Sequence, residues 1–194
     1  MLLSVPVALG KRVLRYLAGT RTHGLELRLS TDSRSGDAEA VLEGVGDASH
    51  EEDWAQTGVL ITYRGMTVTW KSAKQIQAPR STAEAEVTAM AFSAQCVERL
   101  MALFEDSCVS LDTSILWCDN RATVHLTSSP GEWRTKALVN RVMGVRSLVE
   151  LCVLLVRFKA TLGMQADVLT KSMGRKILSR QREWVGCVPL GNAS

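Results

Sequence analysis

The stretch STAEAEVTAM, Ser81 to Met90, sets Glu84 and Glu86 at the head of a segment whose apolar spacing is that of a buried helix. A charge on a core helix costs stability unless something offsets it, so the direction of each side chain matters. In steps of three and four, Glu86 shares a face with Met90, Ser93, Val97, Leu100 and Phe104. Glu84 lies about 200° away at about 100° per residue, in line with Thr88, Gln95 and Glu98. Glu86 is therefore expected to face inward and Glu84 to face solvent. Taken alone, Glu86 reads as an acid at the positive end of a helix dipole.

Outward from this helix, which the pattern extends over roughly Thr82 to Glu105, the sequence alternates between β-prone and helical runs. AVLEGVGDAS, TGVLITYRG and MTVTWKSAK precede it as three short strands, the last two joined by a tight turn at Arg64-Gly65. SILWCDN then reads as a buried strand, RATVHLTS as a short helix, RTKALVNRVMGVRSLVEL as a longer one and CVLLVRFKA as another strand. QADVLTKSM and RKILSRQREWV close the chain in helices. The sum is an α/β domain, a mixed sheet covered by helices. Before it, Val7 to Leu17 has helical spacing with Val7, Val13, Leu14 and Leu17 on the apolar side, and TDSRSGDAE has the composition of a linker. A boundary is placed near residue 38.

The chain has 194 residues, 46% of them apolar, with a formal net charge of +3. That is enough for a sizeable core, and no continuous apolar run reaches the roughly 18–20 residues of a membrane span. The opening MLLSVPVALGKRV lacks the basic start of a signal peptide. Five cysteines, none in a CxxC pair, read as reduced and mostly buried thiols of an intracellular protein with no zinc site. Between Arg134 and Arg182 there are eleven Lys and Arg against two Asp and Glu, which reads as a solvated face or as a surface for a polyanion.

Three further acids invite comparison with Glu86. Asp119 ends SILWCD, where a strand feeding a helix is a common place for an α/β site and equally for a helix cap. Asp47 follows the first strand in GVGDAS, where a turn Asp is also common, and Asp167 opens a late helix in QADVLTK. Four clustered carboxylates repel one another and call for counter-charge. Hard divalent cations such as Mg²⁺ take oxygen ligands. Two of them about 3.5–4 Å apart clamp an in-line displacement at phosphorus.

GDAS, VTWKSAKQ, STAEAE, WCDN and ADVLTK, in that order, resemble the ribonuclease H domain at the end of the Pol polyprotein of copia-type LTR retrotransposons. Upstream, GKRVLRYLAGTRTHGLEL is similar to the segment that ends the reverse transcriptase. The resemblance implies a ribonuclease H-like fold: a five-stranded mixed sheet of order 3-2-1-4-5 with helices on both faces. It implies three parts, the end of reverse transcriptase and a linker at 1–38, the ribonuclease H-like domain at 39–173, and a C-terminal helix and tail at 174–194. The implied catalytic and metal-binding set is Asp47, Glu86, Asp119 and Asp167, with Asp53 of EEDW as the other reading of the first acid. The implied cofactor is a pair of Mg²⁺ ions, for which Mn²⁺ can substitute. The implied activity is hydrolysis of the RNA strand of an RNA–DNA hybrid, with the reverse transcriptase portion of the same polyprotein as partner and no membrane.

Candidate nucleic-acid contacts are Lys71, Lys74, Arg80, Arg134 and Lys136 for phosphates, and Gln75 and Asn120 for 2′-hydroxyls or bases. The expected location is intracellular, in cytoplasm, nucleus or an element's particle. The family pattern is broken at Ala137, Val139 and Met143, at Val87, and in TLGMQAD, which lacks a His before the last acid. The competing class is therefore a non-catalytic nucleic-acid-binding module that keeps the fold, or a decaying retroelement fragment.

Overall fold

The computed structural model describes residues 4–27, 40–128 and 136–190. Its centre is a sheet of β2 (Leu42–Glu51), β3 (Trp54–Tyr63), β4 (Met66–Lys74), β5 (Ser114–Cys118) and β6 (Leu154–Phe158), in the order β4-β3-β2-β5-β6. The first three strands form an antiparallel meander, and β5 and β6 join parallel to β2, which makes the sheet mixed. Counted within the sheet this is the order 3-2-1-4-5. The β3–β4 hairpin turns at Arg64 and Gly65, both with positive φ (50° and 75°), the twist that a two-residue connection requires.

Helix α2 (Thr82–Asp106) crosses one face. Its Met90, Ala94 and Val97 join Leu42, Val59, Ile61, Leu116 and Leu154 in the main core, against which α4 (Lys136–Glu150) adds Val145. The opposite face is covered by the short α5 (Asp167–Thr170) and the turn before it, where Met164 and Ala166 pack on Val45. Helices thus lie on both sides of the sheet. By length and hydropathy α2 could cross a bilayer, but its apolar side is spent on the sheet and carries an inward acid.

The remaining elements are α3 (Arg121–Ser128) and, toward the ends of the chain, α1 (Ser4–Gly19), β1 (His23–Leu25), α6 (Arg175–Trp184) and β7 (Cys187–Pro189). β1 and β7 pair antiparallel, and the Thr67 hydroxyl donates to the Val185 carbonyl at 2.8 Å, fastening the C-terminal segment to β4. The apolar side of α1 does not pack inward: Val7, Val13, Leu14 and Leu17 are all exposed. The boundary near residue 38 lies outside the described residues. The cysteines also depart from expectation, since only Cys118 is buried and Cys108 and Cys152 are exposed.

Candidate active site

Ser81 caps α2, its hydroxyl accepting from the Glu84 amide at 3.2 Å, while Glu84 Oε2 accepts from the Arg80 amide at 2.9 Å. These two bonds occupy both the amide and the carboxylate of Glu84 at the helix end. Glu86, two residues on, is buried on the sheet-facing side with Met90, Ser93 and Val97, as the helical spacing predicts.

Asp47 lies inside β2, four residues before the strand ends, and not in a turn after it. It is 1% exposed, whereas Asp53 sits exposed in the β2–β3 turn. Opposite Asp47 in the ladder is Gly58. A Cβ there would lie 2.7 Å from Thr170 Cγ2 and 2.9 Å from both the Ala166 carbonyl oxygen and Leu169 Cβ. The bare backbone of Gly58 is what lets α5 settle on the sheet beside Asp47. As a result the Thr170 hydroxyl donates to Asp47 Oδ2, and Lys171 Nζ lies 3.4 Å from that oxygen and 2.5 Å from Asp167 Oδ1.

Asp119 follows the last residue of β5. The capping role open to it falls to its neighbour: Asn120 Oδ1 accepts from the Thr123 amide at 3.1 Å at the start of α3. Asp119 is left to accept from the Thr161 hydroxyl at 3.0 Å. Ligand atoms of Glu86, Cys118 and Asp119 lie within 4.8 Å of one another.

The electrostatics tie the acids together. Burial pushes Asp47 up to about 6, against the pull of the Thr170 hydroxyl and Lys171 and with added repulsion from Asp167 and Asp119. Burial, then Asp47 and Asp119, push Glu86 up to about 8, with Lys171 opposing and Asp167 adding. Cys118 is driven to about 12, chiefly by burial, so its thiol stays protonated. Among the described residues no donor reaches the buried Oε2 of Glu86. A carboxylate-rich donor set with an orphaned buried oxygen is what a hard divalent cation satisfies.

The expected nucleic-acid contacts are dispersed. Lys71 lies over the Phe92 ring at 4.7 Å and Lys74 over the Trp54 ring at 5.8 Å. Both line an open groove of about 560 Å³ together with Gln75 and Arg141. Gln75 is 9% exposed and its amide donates to Thr57 Oγ1 and to the Ala85 carbonyl, both at 3.0 Å. That side chain fastens the β4–α2 connection to the sheet and does not point outward. Asn120 likewise has a capping task. Arg80 is exposed, Lys136 begins α4, and Arg134 lies outside the described residues.

The sequence reading missed Thr170, Lys171, Thr161 and Cys118. Lys171 was legible as the fourth residue after Asp167 on one helix face, and Thr170 adjoins it. Thr161 carries no local signal.

A mixed sheet of this order, with acids on β2, at the end of β5, at the head of α2 and on the helix closing over β2, defines the ribonuclease H class of fold. LC11-RNase H1, solved in complex with an RNA/DNA hybrid, superposes with a TM-score of 0.53 at 18% identity, over 66% of this chain and 93% of that one. In sequence the chain is related to retrovirus-related Pol polyproteins from transposons. It is 29% identical to that of RE2 of Arabidopsis thaliana over 181 residues, 92% of this chain and 12% of the polyprotein. It is 30% identical to that of RE1 of the same plant over 168 residues, 85% of this chain and 11% of the polyprotein. The chain thus spans little more than a tenth of the length of these relatives. No protein-family model matches the sequence. The resemblance carried by the five short motifs therefore holds, in relatives and in fold.

Proposed function

We propose that the chain is the ribonuclease H part of a retrotransposon Pol polyprotein, a metal-dependent endonuclease that hydrolyses the RNA strand of RNA–DNA hybrids. The observation that carries this reading is the placement of Glu86. It is an acid inside a core, raised to about 8 by burial and by Asp47 and Asp119, with a buried oxygen that no described donor reaches. No packing role accounts for such a residue, and its cost is offset once a cation is shared among the four acids.

Asp47, Glu86, Asp119 and Asp167 would hold two Mg²⁺ ions, or Mn²⁺ in their place. When bound, such a pair supplies an activated water and charge stabilisation at the leaving oxygen. The protein's own part is to keep the acids converged: Thr170 and Lys171 hold Asp47, and Thr161 holds Asp119. The hybrid bound by LC11-RNase H1 supports the same substrate class here. Lys71 and Lys74, exposed beside an open groove, are the phosphate contacts that this geometry favours. We assign residues 39–173 to the hydrolytic unit, 1–38 to the end of the reverse transcriptase, its partner in the polyprotein, and 174–194 to a closing helix and tail. Its place is inside the cell.

One observation favours the competing reading. An ammonium already lies between Asp47 and Asp167, as a non-catalytic nucleic-acid-binding module would need to neutralise inherited acids. The deciding experiment is cleavage of a labelled RNA–DNA hybrid with Mg²⁺ or Mn²⁺, comparing the chain with Asp119→Asn. RNA-strand cleavage lost in the variant supports hydrolysis. Equal cleavage by both proteins, or equal attack on the DNA strand, overturns it, and metal-independent binding without cleavage selects the module.

A further inference from the structure

The β1–β7 pairing brings α1 and α6 together, and between them runs an open groove of about 460 Å³. Four of its walls are arginines, Arg12 and Arg15 from α1 and Arg175 and Arg182 from α6, joined by Tyr16 and Ser179. Among the described residues none of the four makes an ion pair, and no acid lines the groove. Nε of Arg182 is buried there without a hydrogen-bond partner. Guanidinium groups stay charged at any pH the protein meets, so their mutual repulsion cannot be relieved by losing protons. The first turn of α6 opens beside Arg175 at Gly174, with no side-chain cap to occupy its amides, and adds the positive end of a ten-residue helix whose last turn holds Arg182. Fixed planar donors, an unspent buried N–H and an uncapped helix start all select phosphate oxygens.

We infer that this groove binds the sugar-phosphate backbone of a nucleic acid, gripping the flank of the duplex whose RNA strand is cut at the acidic cluster. The inference rests on the proposed hydrolase reading for which duplex is bound. Lys171, which touches Asp47 and Asp167, is four residues from Arg175. An extended connection of that length spans at most roughly 14 Å. That is about four base steps at about 3.4 Å each along one strand, so one duplex can reach both places. Tyr16, 40% exposed, offers a ring at the groove's edge.

The test is fluorescence anisotropy of a labelled RNA–DNA hybrid with the full chain in EDTA, titrated over a range of KCl, with Arg12→Gln/Arg15→Gln and, separately, Arg182→Gln. Arg12 and Arg15 are exposed, so the double variant keeps the fold, verified by circular dichroism. Its affinity should fall roughly tenfold at low salt, and the slope of log K against log salt should shrink by about 1.8, some 0.9 for each lost phosphate contact. Arg182→Gln should lower the slope by about half as much. Unchanged affinity and slope in both overturn the inference. So does equal or tighter binding of inorganic phosphate or a mononucleotide, which would mark a small-anion site. If wild type cleaves while the double variant keeps its slope, the groove falls and the hydrolase stands. If the double variant loses affinity while neither protein cleaves with Mg²⁺, the groove stands and the hydrolase falls.

Discussion

Lys171 Nζ lies 2.5 Å from Asp167 Oδ1 and 3.4 Å from Asp47 Oδ2, so one ammonium spans two of the four acids. It draws part of the counter-charge from within the chain, and any cation entering between these carboxylates must compete with it. Lys171→Met should therefore lower the metal-free melting temperature by roughly 2–4 °C, about 1 kcal/mol for a partly exposed pair. It should also enlarge the melting shift produced by Mn²⁺. A melting curve unchanged in both respects would remove Lys171 from the site.

Glu86 and Asp47 have folded pKa values near 8 and 6, both above their ordinary values. A raised carboxyl binds its proton more tightly in the folded chain, so folding is favoured below the unfolded values near 4. That advantage is lost as pH climbs through 6 and then 8. Metal-free protein should lose roughly 5 kcal/mol of stability between about pH 5 and pH 8.5, about three units from Glu86 and about one from Asp47, each unit of displacement being worth about 1.4 kcal/mol. Glu86→Gln should flatten most of that slope, and saturating Mg²⁺ should flatten it in the wild type. Urea midpoints at several pH values, with and without EDTA, measure this; a rise in stability with pH would contradict the assignment.

The two glutamates of STAEAE have opposite duties. Glu84→Gln should leave hybrid cleavage intact, and Glu86→Gln should abolish it. Ser81→Ala should cost about 1 kcal/mol through the lost cap, without touching cleavage. Hydrolysis that survives Glu86→Gln but not Glu84→Gln would reverse the assignment.

Gly58→Ala sets a methyl group against the Ala166 carbonyl and Leu169 Cβ, both 2.9 Å away, atoms that have no room to retreat. The expected cost is about 1–3 kcal/mol of overpacking. Cleavage should fall further than stability does, because α5 carries Asp167 and Thr170 and leads directly into Lys171; a shift of about 1 Å can cost roughly 10²-fold. Thermal melting and Mg²⁺-dependent cleavage on the same preparation separate the two effects.

The residues that sequence made legible are those whose neighbours lie nearby along the chain. Glu86 declares itself because a helix repeats every three to four residues, and it is the one charged residue on the sheet-facing row of α2 that it shares with Met90, Ser93 and Val97. Asp119 was ambiguous until the cap appeared on Asn120, a choice that depends on one side-chain torsion. Asp47 looked like a turn residue because GVGDAS reads as a strand running out, yet β2 continues to Glu51 under α5. Gly58 acquires its meaning only from a helix more than a hundred residues away. β7 escaped notice because three residues show no alternation, and Gln75 passed for a surface amide because its partners Thr57 and Ala85 lie on other elements.

The ribbon formed by His23–Leu25 and Cys187–Pro189 closes the described chain on itself: Glu26 N–H donates to the Gly186 carbonyl at 2.9 Å, and Leu190 N–H to the Thr22 carbonyl at 2.6 Å. A two-stranded ribbon has little stability once either strand is removed. Trimming the protein to 39–173 would discard both strands and the anchor that Val185 gives Thr67, whereas stopping at only one of those limits would leave an orphan strand behind. The smallest piece that preserves the arginine groove is accordingly one with both ends retained.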